Sequence, residues 1–80
     1  METFQNAIRV KGLGDDIFTA MLQNAQEKIV DQVRLSARGG STNCVVKSKG
    51  ITPSFLEQLE EEGVSNYQKD DDHVVLFWEW

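Results

Sequence analysis

The sequence predicts an α+β fold: a two-layer sandwich in which a small three-stranded mixed sheet carries two helices mainly on one face. Three observations lead to this prediction. A long apolar stripe with helical spacing fills the first half of the 80-residue chain, a shorter amphipathic helix follows, and three runs favour strands. The predicted order is α-β-α-β-β, with a possible extra N-terminal strand. With 40% hydrophobic residues, residues 1–80 suffice for a single domain with a thin core.

The first fourteen residues carry the least regular pattern. Residues 7–10 could form a short strand that ends at the glycines of residues 12–14, or the whole segment could be a flexible arm. Both alternatives stay open from the sequence.

A long helix is predicted over residues 15–38. Asp15 or Asp16 can cap its start, and Gly39 and Gly40 stop it. About 24 helical residues span roughly 36 Å, which is long for so small a domain. We therefore expect the helix to extend past its sheet and to leave apolar surface that another chain can cover. Its stripe recurs at steps of three and four: Phe18, Leu22, Ala25, Ile29, Val33 and Ala37, widened by Ile17, Met21 and Val30.

A strand and a second helix come next. Residues 43–48 predict a short strand between two glycine-containing loops. Thr52 followed by Pro53 is typical of an N-cap with proline at the first helical position. The helix is expected to end at Gly63 and to bury Phe55 and Leu59.

The C-terminal third predicts a hairpin, with strands over residues 64–69 and 73–80 and an aspartate turn at residues 70–72. In the last strand, Val74 and Leu76 point to one face, whereas Val75 and Phe77 point to the other. A single layer of helices would leave the Phe77 face uncovered. This is the main sequence argument for a homo-oligomer, most simply a dimer, or for a protein partner.

The arrangement resembles small accessory proteins of tailed bacteriophages. The matching features are the long helix ending in Ala-Arg-Gly-Gly at residues 37–40, the short strand, the helix closing at residues 59–64, and the hairpin whose last strand ends near Trp78. The resemblance covers residues 29–80. It implies a viral protein of the host cytoplasm that acts on host or defence machinery, and it carries over no catalytic residues.

Cysteine and histidine usage excludes several classes of protein. Cys44 cannot form a disulfide within the chain, which favours a reducing, cytoplasmic setting, and with His73 it cannot supply a four-ligand zinc site. Neither a secretion signal nor a membrane span is apparent. We predict no enzyme, no cofactor and no metal, because no acid–base pair has persuasive spacing.

Charge is divided unevenly along the chain. Residues 1–50 hold seven bases and five acids, a net charge of +2, whereas residues 51–80 hold one base and eight acids, a net charge of −7. The overall charge of −5 argues against binding of duplex nucleic acid. The acidic half could instead mimic nucleic acid and block a protein that binds it. The acidic candidates are Glu57, Glu60, Glu61 and Asp71.

A basic set allows a third hypothesis. Arg34, Arg38, Lys47 and Lys49 flank the loop after the long helix and could hold a small anion, such as a nucleotide, between subunits. The leading hypothesis remains a non-enzymatic protein that binds another macromolecule. Its aromatic contact candidates are Phe77, Trp78 and Trp80, because large aromatic side chains are enriched in interface hot spots.

Overall fold

The computed structural model of this chain describes residues 10–80 and contains two helices and three strands in the predicted order. The helices are α1, Leu13–Arg38, and α2, Pro53–Glu61. The strands are β1, Asn43–Lys47, β2, Ser65–Asp70, and β3, His73–Phe77. The α+β class is confirmed. The possible N-terminal strand at residues 7–10 falls almost entirely outside the described residues and stays a prediction.

The ends of α1 are set by glycines rather than by side-chain caps. Gly12, in the left-handed region at φ 84°, is the N-cap, and it makes no side-chain hydrogen bond. The expectation that Asp15 or Asp16 caps the helix is therefore wrong, although both carboxylates lie in the first turn, where the helix dipole favours them. At the other end Gly39 is the C-cap, as the sequence predicts.

Helix α2 begins and ends as predicted. The Thr52 side-chain oxygen accepts a 3.1 Å hydrogen bond from the backbone N–H of Phe55, and Pro53 occupies the first turn. After Glu61, Gly63 adopts a positive φ of 87°, and its N–H donates to the Glu60 carbonyl. Capping interactions of this kind join residues only a few positions apart, so they can be predicted from the sequence alone.

The three strands form a sheet in the order β1-β3-β2. Both pairs of neighbours are antiparallel, so the sheet is antiparallel rather than mixed. The reason is that β3, the last strand, lies between the other two and separates them. Val75 in the middle of β3 pairs with Val45 on one side and with Tyr67 on the other. A register shift between Gln68 and Asp70 makes a bulge near the end of β2.

Both helices pack on one face of the sheet, as expected. From the sheet, Val46, Val74 and Leu76 are buried in one cluster with the helical residues Ile29, Phe55 and Leu59. Val46 and Leu76 are the most completely buried side chains of this core. The opposite face of the sheet receives no helix among the described residues.

Helix α1 leaves the sheet next to Gly50. This glycine lies just past the end of β1 and contacts Ala25. The side-chain amide of Gln26 donates to the Gly50 carbonyl at 3.0 Å. The helix residues before Ala25 therefore continue past the end of the sheet at which β1 finishes.

Candidate interaction surfaces

The open face of the sheet is defined here as Val45, Tyr67, Val75 and Phe77 with the polar side chains around them. Alternation along each strand places these residues opposite the core. Val75 is only 7% exposed because its neighbours on both strands enclose it, whereas Tyr67 is 55% exposed. The prediction that Val75 and Phe77 lie on the face opposite the two helices is confirmed for residues 10–80.

Two rings stand side by side on this face. The ring centroids of Tyr67 and Phe77 are 5.8 Å apart and the rings are tilted by 54°, a separation typical of attractive aromatic pairs. With Val45, Val75, Asn43 and Lys69 they line a shallow concavity of about 330 Å³. The concavity has an aromatic wall and an apolar floor, which suits contact with another apolar surface.

The charged groups on the open face are of both signs: Lys47 and Lys69 are basic, and Asp70 is acidic. Lys69 lines the concavity, and Lys47 alternates onto the same face at the position paired with His73. The nearby carboxylate of Asp70 is engaged, because its Oδ1 lies 2.9 Å from Nδ1 of His73. The open face therefore combines an apolar centre with a rim that carries two lysines and one aspartate.

A second apolar surface is the start of α1. Every residue from 13 to 21 is exposed, and Phe18 is 68% exposed. We call this segment the overhang; its apolar side chains are Leu13, Ile17, Phe18 and Met21. The predicted stripe therefore divides: Ile29 is buried and Leu22, Ala25, Val30 and Val33 are half-buried. Ile17, Phe18 and Met21 at one end of the stripe and Ala37 at the other are exposed. The expected extension of the helix past its sheet is confirmed.

The two tryptophans lie outside the strand in which the sequence places them. Strand β3 ends at Phe77 rather than at residue 80, because its neighbours β1 and β2 reach no further than Asn43 and Ser65 opposite Phe77. One more hydrogen bond, from the Trp78 N–H to the Thr42 carbonyl, extends the pairing. Trp78 is half-buried and Trp80 is fully exposed, so Trp80 is no part of the core.

The acidic candidates fall into two groups. Glu57, Glu60 and Glu61 lie exposed on α2, and Asn66 donates to Glu60 at 3.3 Å. Asp71 lies in the turn after β2. Strand β2 runs between the end of α2 and this turn, so its six residues, about 20 Å of extended chain, separate the two groups. The acids therefore do not form one continuous strip.

The basic candidates are likewise divided between layers. Arg34 and Arg38 lie on α1, which covers the core face of the sheet, whereas Lys47 alternates onto the open face. Lys49 lies in the turn after β1. Arg34 lines a groove between the helices together with Glu27 and Asp31, two acids that offset its charge. The structure does not gather the four bases into one anion site.

The turn between β2 and β3 is held by its own side chains. The Asp70 carboxylate accepts from His73 and from the backbone N–H of Asp72, each at 2.9 Å. These bonds, the histidine contact first, lower the pKa of Asp70. Within residues 10–80 no three acidic, histidine or cysteine side chains converge in a way that could hold a metal ion.

Cys44 is half-buried on the core side of β1. Burial raises the pKa of its thiol, and a hydrogen bond with the Ser36 side chain partly offsets that effect. A thiol in this state is a poor nucleophile at neutral pH.

Sequence reasoning missed Val45 and Tyr67 as members of the open face. Alternation along the two strands could have indicated them. In β1, one side carries Asn43, Val45 and Lys47. In β2, one side carries Ser65, Tyr67 and Lys69. Only the pairing of both strands with β3 brings these residues together around Val75.

Comparison with known proteins identifies no relative: no family model, no curated protein and no solved structure matches this chain. Between residues 10 and 80, neither helix combines the length and the apolar character needed to cross a bilayer.

Proposed function

We propose that this chain is a non-enzymatic binding protein whose open sheet face is the contact surface for another macromolecule. One observation carries the proposal: β3 is apolar on both faces, yet within residues 10–80 the helices α1 and α2 cover one face alone. Apolar and aromatic side chains that remain exposed together mark interaction sites more often than isolated apolar residues do.

The composition of the open face supports this role. Tyrosine and phenylalanine are enriched at interface centres, where they bury large areas and lose little side-chain entropy. Tyr67 and Phe77 form such a centre, and the lysines Lys47 and Lys69 supply a polar rim. The concavity is broad and shallow, a shape that favours contact with a protein surface over enclosure of a substrate.

The biological setting that we propose with this function is that of a phage accessory protein in a bacterial cytoplasm. The support for that setting is the sequence resemblance of residues 29–80. The acidic and the basic hypotheses receive less support, because the structure divides both sets of residues between separate regions.

Site-specific photocrosslinking tests the proposed contact surface. A photoreactive amino acid replaces Tyr67 in one variant and Leu35 in the matched control, since both side chains are largely exposed but Leu35 lies on α1. After irradiation in a bacterial extract, we expect a discrete covalent adduct at Tyr67 that is absent at Leu35. Equal adducts at both positions, or none at Tyr67, would overturn the proposal.

A further inference from the structure

We propose that the outer edge of β1 is a docking site for an extended segment of a partner protein, which adds to the sheet as a fourth strand. The edge consists of backbone groups at the side of the sheet, so this inference goes beyond the proposed contact at the open face. Three features of the molecule support it: the hydrogen bonds of β1, the difference between the two edges of the sheet, and the position of α1.

Alternate residues of β1 direct their backbone groups away from the sheet. At the two ends of the β1–β3 pairing, the Ser48 N–H donates to the Asp72 carbonyl at 2.8 Å, and the Trp78 N–H donates to the Thr42 carbonyl at 2.9 Å. Because bonded pairs alternate along an antiparallel ladder, this register makes the even-numbered residues of β1 bond to β3. The outward-pointing residues are Asn43, Val45 and Lys47.

The outward groups have no hydrogen-bond partner within residues 10–80. No backbone or side-chain hydrogen bond of these described residues involves the N–H or C=O of Asn43, Val45 or Lys47. All three residues are exposed. Their donors and acceptors repeat every second residue, about 7 Å apart, which is the spacing that another extended chain presents. Main-chain hydrogen bonds of this kind bind peptides that add to a sheet edge.

The β2 edge is less suited to an added strand. The same alternation directs the backbone groups of Asn66 and Gln68 outward, but the register shift between Gln68 and Asp70 then interrupts the strand. A bulge twists an edge and disfavours further pairing. Both outward residues are also engaged locally, since Asn66 donates to Glu60 and Gln68 donates to the His73 carbonyl. The register of β1 with β3, in contrast, is continuous along the whole strand.

The position of α1 argues against a second copy of β1 as the added strand. Helix α1 follows β1, because the Ser36 side chain bonds the Cys44 thiol near one end and Ala25 contacts Gly50 just past the other. In a twofold antiparallel dimer the two β1 strands would lie about 4.8 Å apart, and the helices above them would be similarly close. Packed helices need about 8–10 Å between their axes. The added strand is therefore one that carries no helix above it.

NMR titration with a strand-forming peptide tests this site. The probe is a short peptide of alternating threonine and valine, residues that favour strands. Its control has the same side chains but is N-methylated on every residue, which removes its backbone donors. Each peptide is added to the isotope-labelled chain at up to millimolar concentration, and the backbone amide resonances are followed.

A proline on each edge provides a matched pair of variants. Val45→Pro removes an outward N–H and leaves the β1–β3 hydrogen bonds in place, because Val45 does not bond to β3. Asn66→Pro makes the same change on the β2 edge. Circular dichroism verifies that both variants are folded.

We expect the unmodified peptide to shift the amide resonances of Asn43, Val45 and Lys47 and to slow their hydrogen exchange. The N-methylated peptide should leave them unchanged. Val45→Pro should weaken binding at least about tenfold, because a hydrogen bond is lost and the proline ring blocks the approach of the added strand. Asn66→Pro should bind the peptide as the wild type does.

Three results would overturn the proposal: no shift at millimolar peptide, equal binding of the N-methylated peptide, or a Val45 amide that already exchanges slowly in the free protein. Shifts centred on Asn66 and Gln68 would place the peptide at the β2 edge and would overturn it as well. The proposed function fails separately, because crosslinking at Tyr67 reports on the open face and does not depend on an added strand.

Discussion

Gly50 and Ala25 are in such close contact that a Cβ added to Gly50 would lie 2.7 Å from the Cβ of Ala25. Gly50 also has φ +94°, a conformation that side chains with a Cβ rarely adopt. The turn after β1 therefore requires glycine for two reasons. This contact joins α1 to the sheet about one helical turn after the last residue of the overhang.

Replacing Gly50 by alanine should lower the free energy of unfolding by about 2–5 kcal/mol, the sum of left-handed strain and overpacking. Gly40→Ala is the matched control, because Gly40 has φ +87° but no atom within 4 Å of an added Cβ. Gly40→Ala should lower the free energy of unfolding by the left-handed strain alone, about 1–2 kcal/mol. Urea unfolding followed by circular dichroism measures both losses. Equal losses would show that the contact with Ala25 contributes nothing.

The Asp70–His73 pair predicts that the free energy of unfolding depends on pH in the acidic range. The pKa of Asp70 lies below its ordinary value of 3.8, mainly because His73 donates to it, so the ionised carboxylate stabilises the fold above the pKa of the unfolded chain. That stabilisation is lost as the pH falls through the folded pKa. His73→Gln should raise the pKa of Asp70, measured by NMR titration of the carboxyl carbon. An unchanged titration would mean that the histidine has no influence on Asp70.

Cys44 should react slowly with an alkylating reagent at neutral pH, because burial both shields its sulfur and raises the pKa of the thiol. The rate should increase as the pH is raised and should increase much further in denaturant. Ser36→Ala, which removes the hydrogen bond that lowers this pKa, should slow the reaction of the folded protein at a given pH. A rate equal to that of the unfolded chain would contradict the buried position.

Helix α2 should be stabilised by removing charge from its end. Glu61 lies in the last turn, where the helix dipole disfavours acids, and no base lies in that turn. Glu61→Lys should raise the stability by about 0.5 kcal/mol, or roughly 2–4 °C in Tm for a domain of this size. The matched control is Glu57→Lys, near the middle of the helix, which should change Tm little. Differential scanning calorimetry compares the two, and a lower Tm for Glu61→Lys would refute the dipole argument.

The sequence predicts those features that depend on near neighbours. Thr52 with Pro53 determines where α2 begins, and Gly39 ends α1, because each acts through hydrogen bonds a few residues away. The sequence does not locate the N-cap of α1, because Gly12 caps this helix through its backbone conformation and has no capping side chain.

Features that depend on distant pairing were harder to predict. The antiparallel sheet and the end of β3 at Phe77 follow from which strands lie beside β3, and strand order joins residues far apart in the chain. The candidate site shows the same limit. Phe77 was predicted from its own strand, whereas Val45 and Tyr67 join the site only once both neighbouring strands are in place.

The central position of β3 also constrains the order in which the chain can fold during its synthesis. Strands β1 and β2 have no hydrogen-bonding partner in each other, so both wait for β3. At about 5–20 residues per second, the ribosome takes roughly 1.5–6 s to extend the chain from Lys47 to Phe77. Both helices are translated before β3, and both contribute to the cluster that buries Val46 of β1. Strand β3 therefore completes the sheet last, after both helices that cover its core face have been made.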